Sequence, residues 1–228
     1  MKKTVFLALS LMSIGMNISA SGVSLGATRV VFPTDKEQVT IKTYNTDPKG
    51  SYLIQSWVSN ENGEKVDDFI VTPPLYVQKP NSDNVLRIVY AGNKATLPTD
   101  REKVYYFNSK VIPSLSKEQQ MVSNALLIAT TTNIKLFMRP SNLTESSLDA
   151  YKKISCNFNN QFITVKNNSP FYMSLTSLKS NAIEISTGIM VPPFGTQDIP
   201  TKNKVNSMQY SFINDYGVRS EELNCLAD

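Results

Sequence analysis

The sequence contains no histidine, one tryptophan and two cysteines among its 228 residues. Histidine is the most frequent general base and a common zinc ligand, so its absence removes the usual routes to acid–base and zinc chemistry. Neighbouring carboxylates such as Asp67 and Asp68 do not replace it, because adjacent residues of a strand point to opposite faces. We therefore expect no catalytic residue, no metal and no cofactor. An exported hydrolase ranks last among the functions considered.

Long apolar runs are also missing. No segment approaches the ~20 consecutive apolar residues that a transmembrane helix needs. The most apolar stretch, TVFLALSLMSIGM, follows Lys2 and Lys3 and precedes a group of small residues, which is the pattern of a secretory signal peptide. Cleavage after Ala20 or after Ser21 fits this pattern. We predict that residues 1–21 are a signal peptide and that the mature chain is exported without membrane insertion.

The mature chain has little charge of either sign in excess. Without Lys2 and Lys3 it keeps 21 basic and 19 acidic residues, a formal charge of +2. A strongly basic face is the usual electrostatic footprint of a protein that binds nucleic acid or a membrane surface. The composition therefore gives no reason to expect either partner.

Short extended segments fill the first part of the mature chain. They are rich in Val, Ile, Tyr, Phe and Thr and are separated by turn signals such as Asn62-Gly63. Seven of them without helical periodicity between them favour an immunoglobulin-like β-sandwich. Trp57 lies on the third, where such folds often bury a tryptophan. The predicted strands are 24–32, 39–45, 51–60, 68–77, 85–91, 103–113 and 124–140.

A polar stretch over 141–153 interrupts the strand pattern, and we predict that it is a linker with a short helical turn. The sequence thus predicts an all-β protein with a signal peptide over 1–21, a first immunoglobulin-like domain over 22–140 and a second over 154–228. The second domain has seven further predicted strands, at 154–158, 161–167, 171–178, 182–186, 195–199, 207–214 and 217–225.

The two cysteines, Cys156 and Cys225, fall in the first and last predicted strands of the second domain. An even number of cysteines in an exported chain indicates a disulfide. Two unrelated buried thiols are the alternative, and a metal pair is disfavoured because the chain has no CxxC motif. We expect the two residues to be bonded.

Two cations stand out because of their apolar surroundings. Lys135 lies within the segment IKLFM, and Arg139 closes it before Pro140. A charged side chain among apolar residues either extends its charged group to water or binds an anion. The spacing alone leaves both interpretations open.

Nine short motifs together resemble the periplasmic chaperones of the chaperone–usher pilus pathway. They occur in the order of that family and span essentially the whole mature chain. The short stretch between Pro113 and Asn124 is similar to the subclass with a short loop before the last strand of the first domain, which serves rod-like fimbriae. The motifs are GATRVVFP at 26–33, SYLIQSWV at 51–58, IVTPPL at 70–75, LRIV at 86–89, LPTDRE at 97–102, VIP at 111–113, IKLFMRP at 134–140, VPPFG at 191–195 and INDYG at 213–217.

The resemblance implies two immunoglobulin-like domains set at an angle around a cleft. It implies that the chain lends its seventh strand to a pilus subunit that lacks its own last strand, with Leu126, Ile128 and Thr130 entering the core of the subunit. It also implies that Arg29 and Lys135 bind the terminal carboxylate of the subunit.

Three further residues, Glu102, Arg139 and Asp215, match the interdomain ion network of the family. The resemblance implies that they set the orientation of the domains.

Two features of the sequence depart from the family pattern. Thr130 stands where the family has a larger apolar residue, which predicts a weaker or more easily exchanged complex. In a regular strand, residues 126, 128 and 130 also lie on the face opposite Lys135. A bulge or strong twist between them would resolve this tension, but the sequence does not show one.

We therefore expect a periplasmic chaperone that acts without ATP and delivers subunits to an outer-membrane usher, which the first domain would contact. A fimbrial structural subunit or a two-domain adhesin is the alternative. Such a subunit would carry a free extension and lack its last strand, whereas each half of this chain has seven strand signals. An apolar edge strand of this kind is also a liability in solution, so the free chaperone could self-dimerise to cover it.

Overall fold

The computed structural model describes residues 21–114, 126–201 and 204–227, and their regular structure is almost entirely β. The predicted signal peptide therefore lies, apart from Ser21, outside the described residues. None of the helices in the described ranges is long and apolar enough to cross a bilayer. The strands are β1 (Val23–Leu25), β2 (Arg29–Pro33), β3 (Gln38–Asn45), β4 (Tyr52–Ser59), β5 (Phe69–Thr72), β6 (Leu75–Gln78), β7 (Ser82–Tyr90), β8 (Lys103–Pro113), β9 (Thr130–Arg139), β10 (Ile154–Phe158), β11 (Phe162–Asn167), β12 (Met173–Ser180), β13 (Ile183–Val191), β14 (Thr196–Pro200), β15 (Gln209–Phe212), β16 (Leu223–Asn224) and β17 (Leu226–Ala227).

The first domain is a sandwich of two sheets, in the orders β1-β3-β7-β5 and β2-β9-β8-β4-β6. Alternate residues of each strand point inward, as the burial of Ile41 on β3 and of Leu86 and Ile88 on β7 illustrates. These side chains meet Phe107, Leu136 and others from the second sheet in one apolar core. The architecture is the immunoglobulin-like sandwich that the strand pattern predicts.

Two predicted strands of the first domain are each divided in the structure. The segment 24–32 forms β1, which pairs with β3, and β2, which pairs with β9 in the opposite sheet. The segment 68–77 likewise forms β5 on β7 and β6 on β4. Pro73 and Pro74 separate the latter pair, because proline has no N–H to continue a ladder. The prediction of single continuous strands was wrong at both places.

The last strand of this domain is shorter than predicted. β9 begins at Thr130, while residues 124 and 125 lie outside the described residues and 126–129 have no regular strand. The final pair of its antiparallel ladder with β8 is Val111 with Thr130, and β8 ends at Pro113. Residues before Thr130 therefore have almost no neighbouring strand with which to pair.

The ladder between β8 and β9 keeps one register from Val111–Thr130 to Lys103–Met138. The described strand therefore has no bulge between Thr130 and Lys135, and the two residues lie on opposite faces. Thr130 thus keeps the parity that opposes Lys135, whereas residues 126–129 belong to no described ladder, so no register fixes the direction of their side chains.

Trp57 is only half-buried and lies outside the apolar core. Its partner across β4 and β8 is Asn108, which pairs in turn with Asn133 on β9. Trp57 therefore lies on the face of the sheet that also carries Lys135. It is thus not the buried tryptophan that such folds often have on this strand, because Ile54, Ser56 and Val58 are the inward residues of β4.

The second domain is a sandwich of the sheets β14-β11-β10-β17 and β13-β12-β15-β16, with its own apolar core. Cys156 on β10 and Cys225, between β16 and β17, form a disulfide with their Cα atoms 5.8 Å apart. The predicted strand 217–225 is mostly absent. A turn and an isolated bridge between Ile213 and Arg219 precede the two-residue β16.

The segment between the domains forms a helical turn, α1 (Ser147–Ala150), followed by a 3-10 turn at Tyr151–Lys153. The hydroxyl of Ser146 accepts a hydrogen bond from the Leu148 N–H at 3.2 Å and so caps α1. Ala150 and Tyr151 are buried in the second core. The end of this segment therefore packs as part of the second domain.

Candidate functional site

A buried ion network joins the two domains. The Nε of Arg139, at the end of β9, donates to Oε1 of Glu102 at 2.7 Å, and its Nη1 and Nη2 donate to the two oxygens of Asp215 at 2.7 and 2.9 Å. Asp215 also accepts from the Ser147 hydroxyl at 2.8 Å. Arg139 thus connects a carboxylate of the first domain to one of the second, and the Phe171 ring lies 4.9 Å from its guanidinium carbon.

Glu102 makes a second set of contacts across the same boundary. Its Oε2 accepts the Tyr172 N–H at 2.7 Å, and its own N–H donates to the Pro170 carbonyl at 2.9 Å. Only 3% of this residue is exposed. All groups of the network are therefore paired, and the two domains share one set of directional bonds.

Burial has different effects on the pKa values of this network. It raises the pKa of Glu102 above its ordinary value despite the nearby Arg139. Burial alone would also raise the pKa of Asp215, but the bonds from Arg139 and Ser147 outweigh it and lower that pKa. For Arg139, burial opposes the charged form, yet Asp215 and Glu102 raise its pKa. Arg139 is thus held as a cation by two partners.

Arg29 and Lys135 are neighbours in the parallel pairing of β2 with β9. The Nη1 of Arg29 donates to the Ile213 carbonyl at 2.7 Å, while its buried Nε has no hydrogen-bond partner in the described part of the chain. The Nζ of Lys135 donates to the Ser174 hydroxyl of β12 at 3.0 Å. Neither cation forms an ion pair within the described residues.

The free cations are partly desolvated. Burial lowers the pKa of Arg29, and burial followed by the charge of Arg29 lowers the pKa of Lys135. A bound anion would offset this effect, because a nearby opposite charge favours the charged form of both groups. Two adjacent, incompletely paired cations in a cleft form an electrostatically favourable site for an anion.

The sequence did not indicate several residues that support these cations. The Tyr151 hydroxyl donates to the same Ile213 carbonyl as Arg29, at 3.0 Å. Phe137 stacks on Tyr172 of the second domain with their ring centroids 5.7 Å apart. Phe137 follows Lys135 by two positions, so strand alternation could have located it on the same face. Ser174, Tyr151 and Tyr172 are brought to the cleft only by the packing of the domains.

The segment before β9 exposes apolar side chains. Leu126 is 86% exposed and Ile128 is 64% exposed, and Thr130 is exposed at the start of the strand. From Lys135 onward β2 occupies one edge of β9, whereas no strand of the described ranges pairs with that edge at residues 130–134. The edge is thus open up to the point where the two cations lie.

No cluster of three or more Cys, Asp or Glu side chains within the described ranges could hold a metal ion.

Two family models match the chain. Residues 22–144 match the pili and flagellar-assembly chaperone model, PapD N-terminal domain, and residues 149–223 match the pili assembly chaperone PapD C-terminal domain. The chain belongs to the PapD family of pili assembly chaperones.

Relatives of this chaperone support the assignment over nearly its full length. It is 39% identical over 206 residues to the probable fimbrial chaperone protein ElfD of Escherichia coli strain K12, covering 90% of this chain and 86% of ElfD. It is 37% identical over 204 residues to chaperone protein FimC of the same strain, covering 89% of this chain and 83% of FimC.

Solved structures agree in fold. The periplasmic chaperone SfaE superposes with a TM-score of 0.76 at 35% identity, covering 90% of this chain and all of that one. The structure of the Salmonella enterica SafA pilin in complex with the SafB chaperone matches with a TM-score of 0.80 at 26% identity, covering 91% of this chain and 97% of that one. The two-domain architecture and the periplasmic, fimbrial chaperone class of this chain follow from these comparisons.

Proposed function

We propose that this chaperone completes the fold of an exported pilus subunit by adding a strand to it, and then delivers the subunit to an outer-membrane usher during fimbrium biogenesis. The observation that carries the proposal is the open edge of β9, which ends at two cations without ion-pair partners. The complex of the related SafB with a pilin supports the class of client.

The open edge presents backbone groups that a strand of another chain can pair with. β2 already occupies the continuation of this edge, and it runs parallel to β9 from Arg29 onward. A strand added before Lys135 therefore ends where β2 begins. If it also runs parallel to β9, its carboxyl end reaches Arg29 and Lys135.

The two cations then act as the anchor for that end. A terminal carboxylate can accept a charge-assisted hydrogen bond from Lys135 Nζ, and the adjacent Arg29 guanidinium adds a second positive charge. Such bonds are stronger in a partly desolvated cleft than on an open surface. They also fix the register of the added strand, because only one alignment brings its end to the cations.

Leu126, Ile128 and Thr130 would supply the donated side chains. Their exposure in the free protein supports this role, because large apolar groups gain most from entering the open core of a client. Each fully buried leucine or isoleucine contributes about 1.5–3 kcal/mol. Thr130 contributes less, which favours exchange of the client at the usher.

Glu102, Arg139 and Asp215 would act on the frame of the site and not on the client, because their charges are already paired with one another. We retain the division into domains at 22–140 and 154–228 with 141–153 between them as a proposal. The separate apolar cores support two domains, although Ala150 and Tyr151 at the end of 141–153 pack in the second core. We propose no catalytic activity. A structural subunit or adhesin is disfavoured because each domain is closed by its own strands.

Replacement of Lys135 by alanine tests the anchor. We expect Lys135→Ala to lower the affinity for pilus subunits about 10- to 100-fold, the value of one charged hydrogen bond. The measurement is recovery of subunits from periplasm in which the chaperone is co-expressed with pilus subunits of the same organism. Lys135→Arg should restore most of the recovery, because it keeps the charge.

Lys42→Ala is the matched control, since Lys42 is an exposed cation on β3 in the opposite sheet. Arg29→Ala should behave like Lys135→Ala provided that its melting temperature shows a folded protein. Equal recovery with the native protein, Lys135→Ala and Lys42→Ala would show that the cleft does not bind the client.

A further inference from the structure

The turn that follows β15, here called the interdomain hairpin (213–219), lies against the first domain beside the anchor. Its first residue, Ile213, accepts hydrogen bonds at its carbonyl from Arg29 and Tyr151. Its Asp215 holds Arg139. A Cβ atom built on Gly217 would lie 2.4 Å from the Thr28 hydroxyl oxygen, so the hairpin backbone touches the residue before Arg29.

The hairpin is also fixed internally. Ile213 and Arg219 form a bridge, and the Asn214 side chain accepts from the N–H groups of Tyr216 and Val218 at 3.0 and 2.9 Å. The φ of Gly217 is +80°, a left-handed conformation that glycine adopts without strain. The hairpin is therefore a preorganised element, and a partner would not have to order its backbone.

Two apolar side chains of this rigid hairpin remain in solvent. Tyr216 is 84% exposed and Val218 is 58% exposed, on either side of the glycine that touches Thr28. Tyrosine offers a large contact area with few rotatable bonds, which is why it is enriched in the central parts of interfaces. A single exposed apolar residue is ordinary on a protein surface, but these two flank the contact with Thr28, the residue before Arg29.

The direction of the open edge brings a client to this hairpin. β2 and an added strand follow the same edge of β9, one after the other, and the boundary between them is at Thr28 and Arg29. The last residues of the added strand therefore lie next to Thr28, where the hairpin crosses.

We propose that Tyr216 and Val218 form a contact surface for the apolar last residues of the pilus subunit, beside the terminal carboxylate bound by Arg29 and Lys135. The inference rests on the proposed function, because it requires the carboxyl end of the client to lie in the cleft. The hairpin would be a second recognition element. It would contact side chains of the client, whereas the two cations bind only the terminal carboxylate.

The test uses the full mature chaperone and synthetic peptides of the last ~15 residues of the pilus subunits co-expressed with it above. Binding is measured by calorimetry for native protein, for the double variant Tyr216→Ala/Val218→Ala, for Lys135→Ala, and for Ile183→Ala as the control. Ile183 is an exposed apolar residue at the start of β13. Each peptide is also made with alanine at its final two positions.

We expect the double variant to bind the native peptide about tenfold more weakly, as for removal of an interface anchor. The difference should disappear with the alanine-ended peptide, because the contact is then already lost, and Ile183→Ala should bind like the native protein. Melting temperatures should remain close to native, since both replaced side chains are exposed.

If the double variant binds like the native protein while Lys135→Ala has lost binding, the hairpin contact is wrong and the proposed function stands. If the double variant loses the same factor with both peptides, the hairpin affects the cleft only indirectly, and the contact surface is again refuted. If the native protein binds neither these peptides nor the intact subunits, the inference and the proposed function fall together.

Discussion

Asp215 shows how much of the cleft depends on single side chains. Its two carboxylate oxygens accept hydrogen bonds from both terminal nitrogens of Arg139 and from the hydroxyl of Ser147. It also begins the turn whose Gly217 touches Thr28. A change at this one carboxylate is therefore expected to affect both the contacts between the domains and the hairpin that lies beside Arg29.

Replacing this carboxylate gives a pH-dependent loss of stability. Asp215→Asn should lower the free energy of unfolding by about 2–3 kcal/mol near neutral pH, because Arg139 loses a charged partner in a mostly buried site. The pKa of Asp215 is lowered below its ordinary 3.8 in the folded protein. Its contribution is therefore complete above that value and disappears as the pH falls through the lowered folded pKa.

Urea unfolding at about pH 7, 5 and 3 measures this effect. The difference between native protein and variant should be constant between the first two conditions and smaller at the third. Ser147→Ala, which removes the weaker partner of the same carboxylate, is the matched control and should cost less. A difference that grows on acidification would contradict the assigned role of Asp215.

At this scale the sequence predicted part of the site. The motifs identified Arg29, Lys135, Glu102, Arg139 and Asp215, and the structure brings all five to the boundary between the domains. Their roles toward a client remain predictions. Ser174, Tyr151 and Tyr172 carry no local signal, because their contacts arise only when the second domain docks on the first.

β9 is the element on which the proposed activity depends. Its second half is held on both edges, by β8 and β2, whereas its first half is held by β8 alone. The segment before it has exposed apolar side chains and no ladder. A client strand can therefore pair with the open edge of the first half of β9, while the second half stays paired on both edges and keeps its place in the core.

Alternate residues of this segment should differ in their effect on client binding. Leu126→Ala/Ile128→Ala should reduce recovery of pilus subunits strongly, because each side chain loses about 1.5–3 kcal/mol of burial in the complex. Its effect on the melting temperature of the free protein should be small, since both residues are exposed. The measurement is subunit recovery beside thermal unfolding of the free chaperone.

Leu127→Ala is the matched control, because Leu127 is an exposed leucine of the opposite parity. It should leave recovery near native. Thr130→Val should act in the other direction and slow the release of a bound subunit, since it adds apolar surface to the poorest of the three positions. Equal losses for Leu127 and for the Leu126/Ile128 pair would contradict insertion of alternate side chains.

The sequence predicted the β-strands correctly as strands, but it predicted their boundaries less well. Period-two patterns identified nearly all the strands, because each domain buries one face of each sheet. They did not predict that the chain changes sheets after Leu25 and after Thr72, since the residues remain extended on both sides of each change. They also overestimated 217–225, where the residues are extended but mostly unpaired.

At the scale of the whole molecule, the second domain is closed by its disulfide. Cys156 and Cys225 are 69 residues apart, so the bond ties the first strand of the domain to its end. In the chain-entropy account a loop of this length contributes about 4 kcal/mol to stability. The first domain has no such link among the described residues and relies on its core.

Removal of the disulfide should therefore act on one domain before the other. The double variant Cys156→Ser/Cys225→Ser should be less stable by about 4 kcal/mol, and the second domain should unfold first. Calorimetry should show a separate early transition, and native protein treated with a reductant should give the same profile. A single transition at the native temperature would show that the docked domains do not need the bond.

The two-domain fold could be predicted from the sequence because its strand pattern, polar interruption and motifs all agree. The relative position of the domains could not, because it is fixed by contacts between distant residues. Glu102 with Tyr172 and Arg29 with Ile213 are such contacts. The polar composition of 141–153 indicated a linker, although Tyr151 in fact belongs to the second core.

The parallel pairing of β2 with β9 has a consequence for timing. On the proposed function, the edge accepts a strand in one direction only, with its free end against Arg29 and Lys135. A chain that is still being translocated has no terminal carboxylate to offer in the periplasm. The amino terminus of a chain, whose α-amino group is cationic, would be repelled by both side chains. Capture would then begin only when export of the subunit is complete, so the chaperone would distinguish a finished polypeptide from an unfinished one.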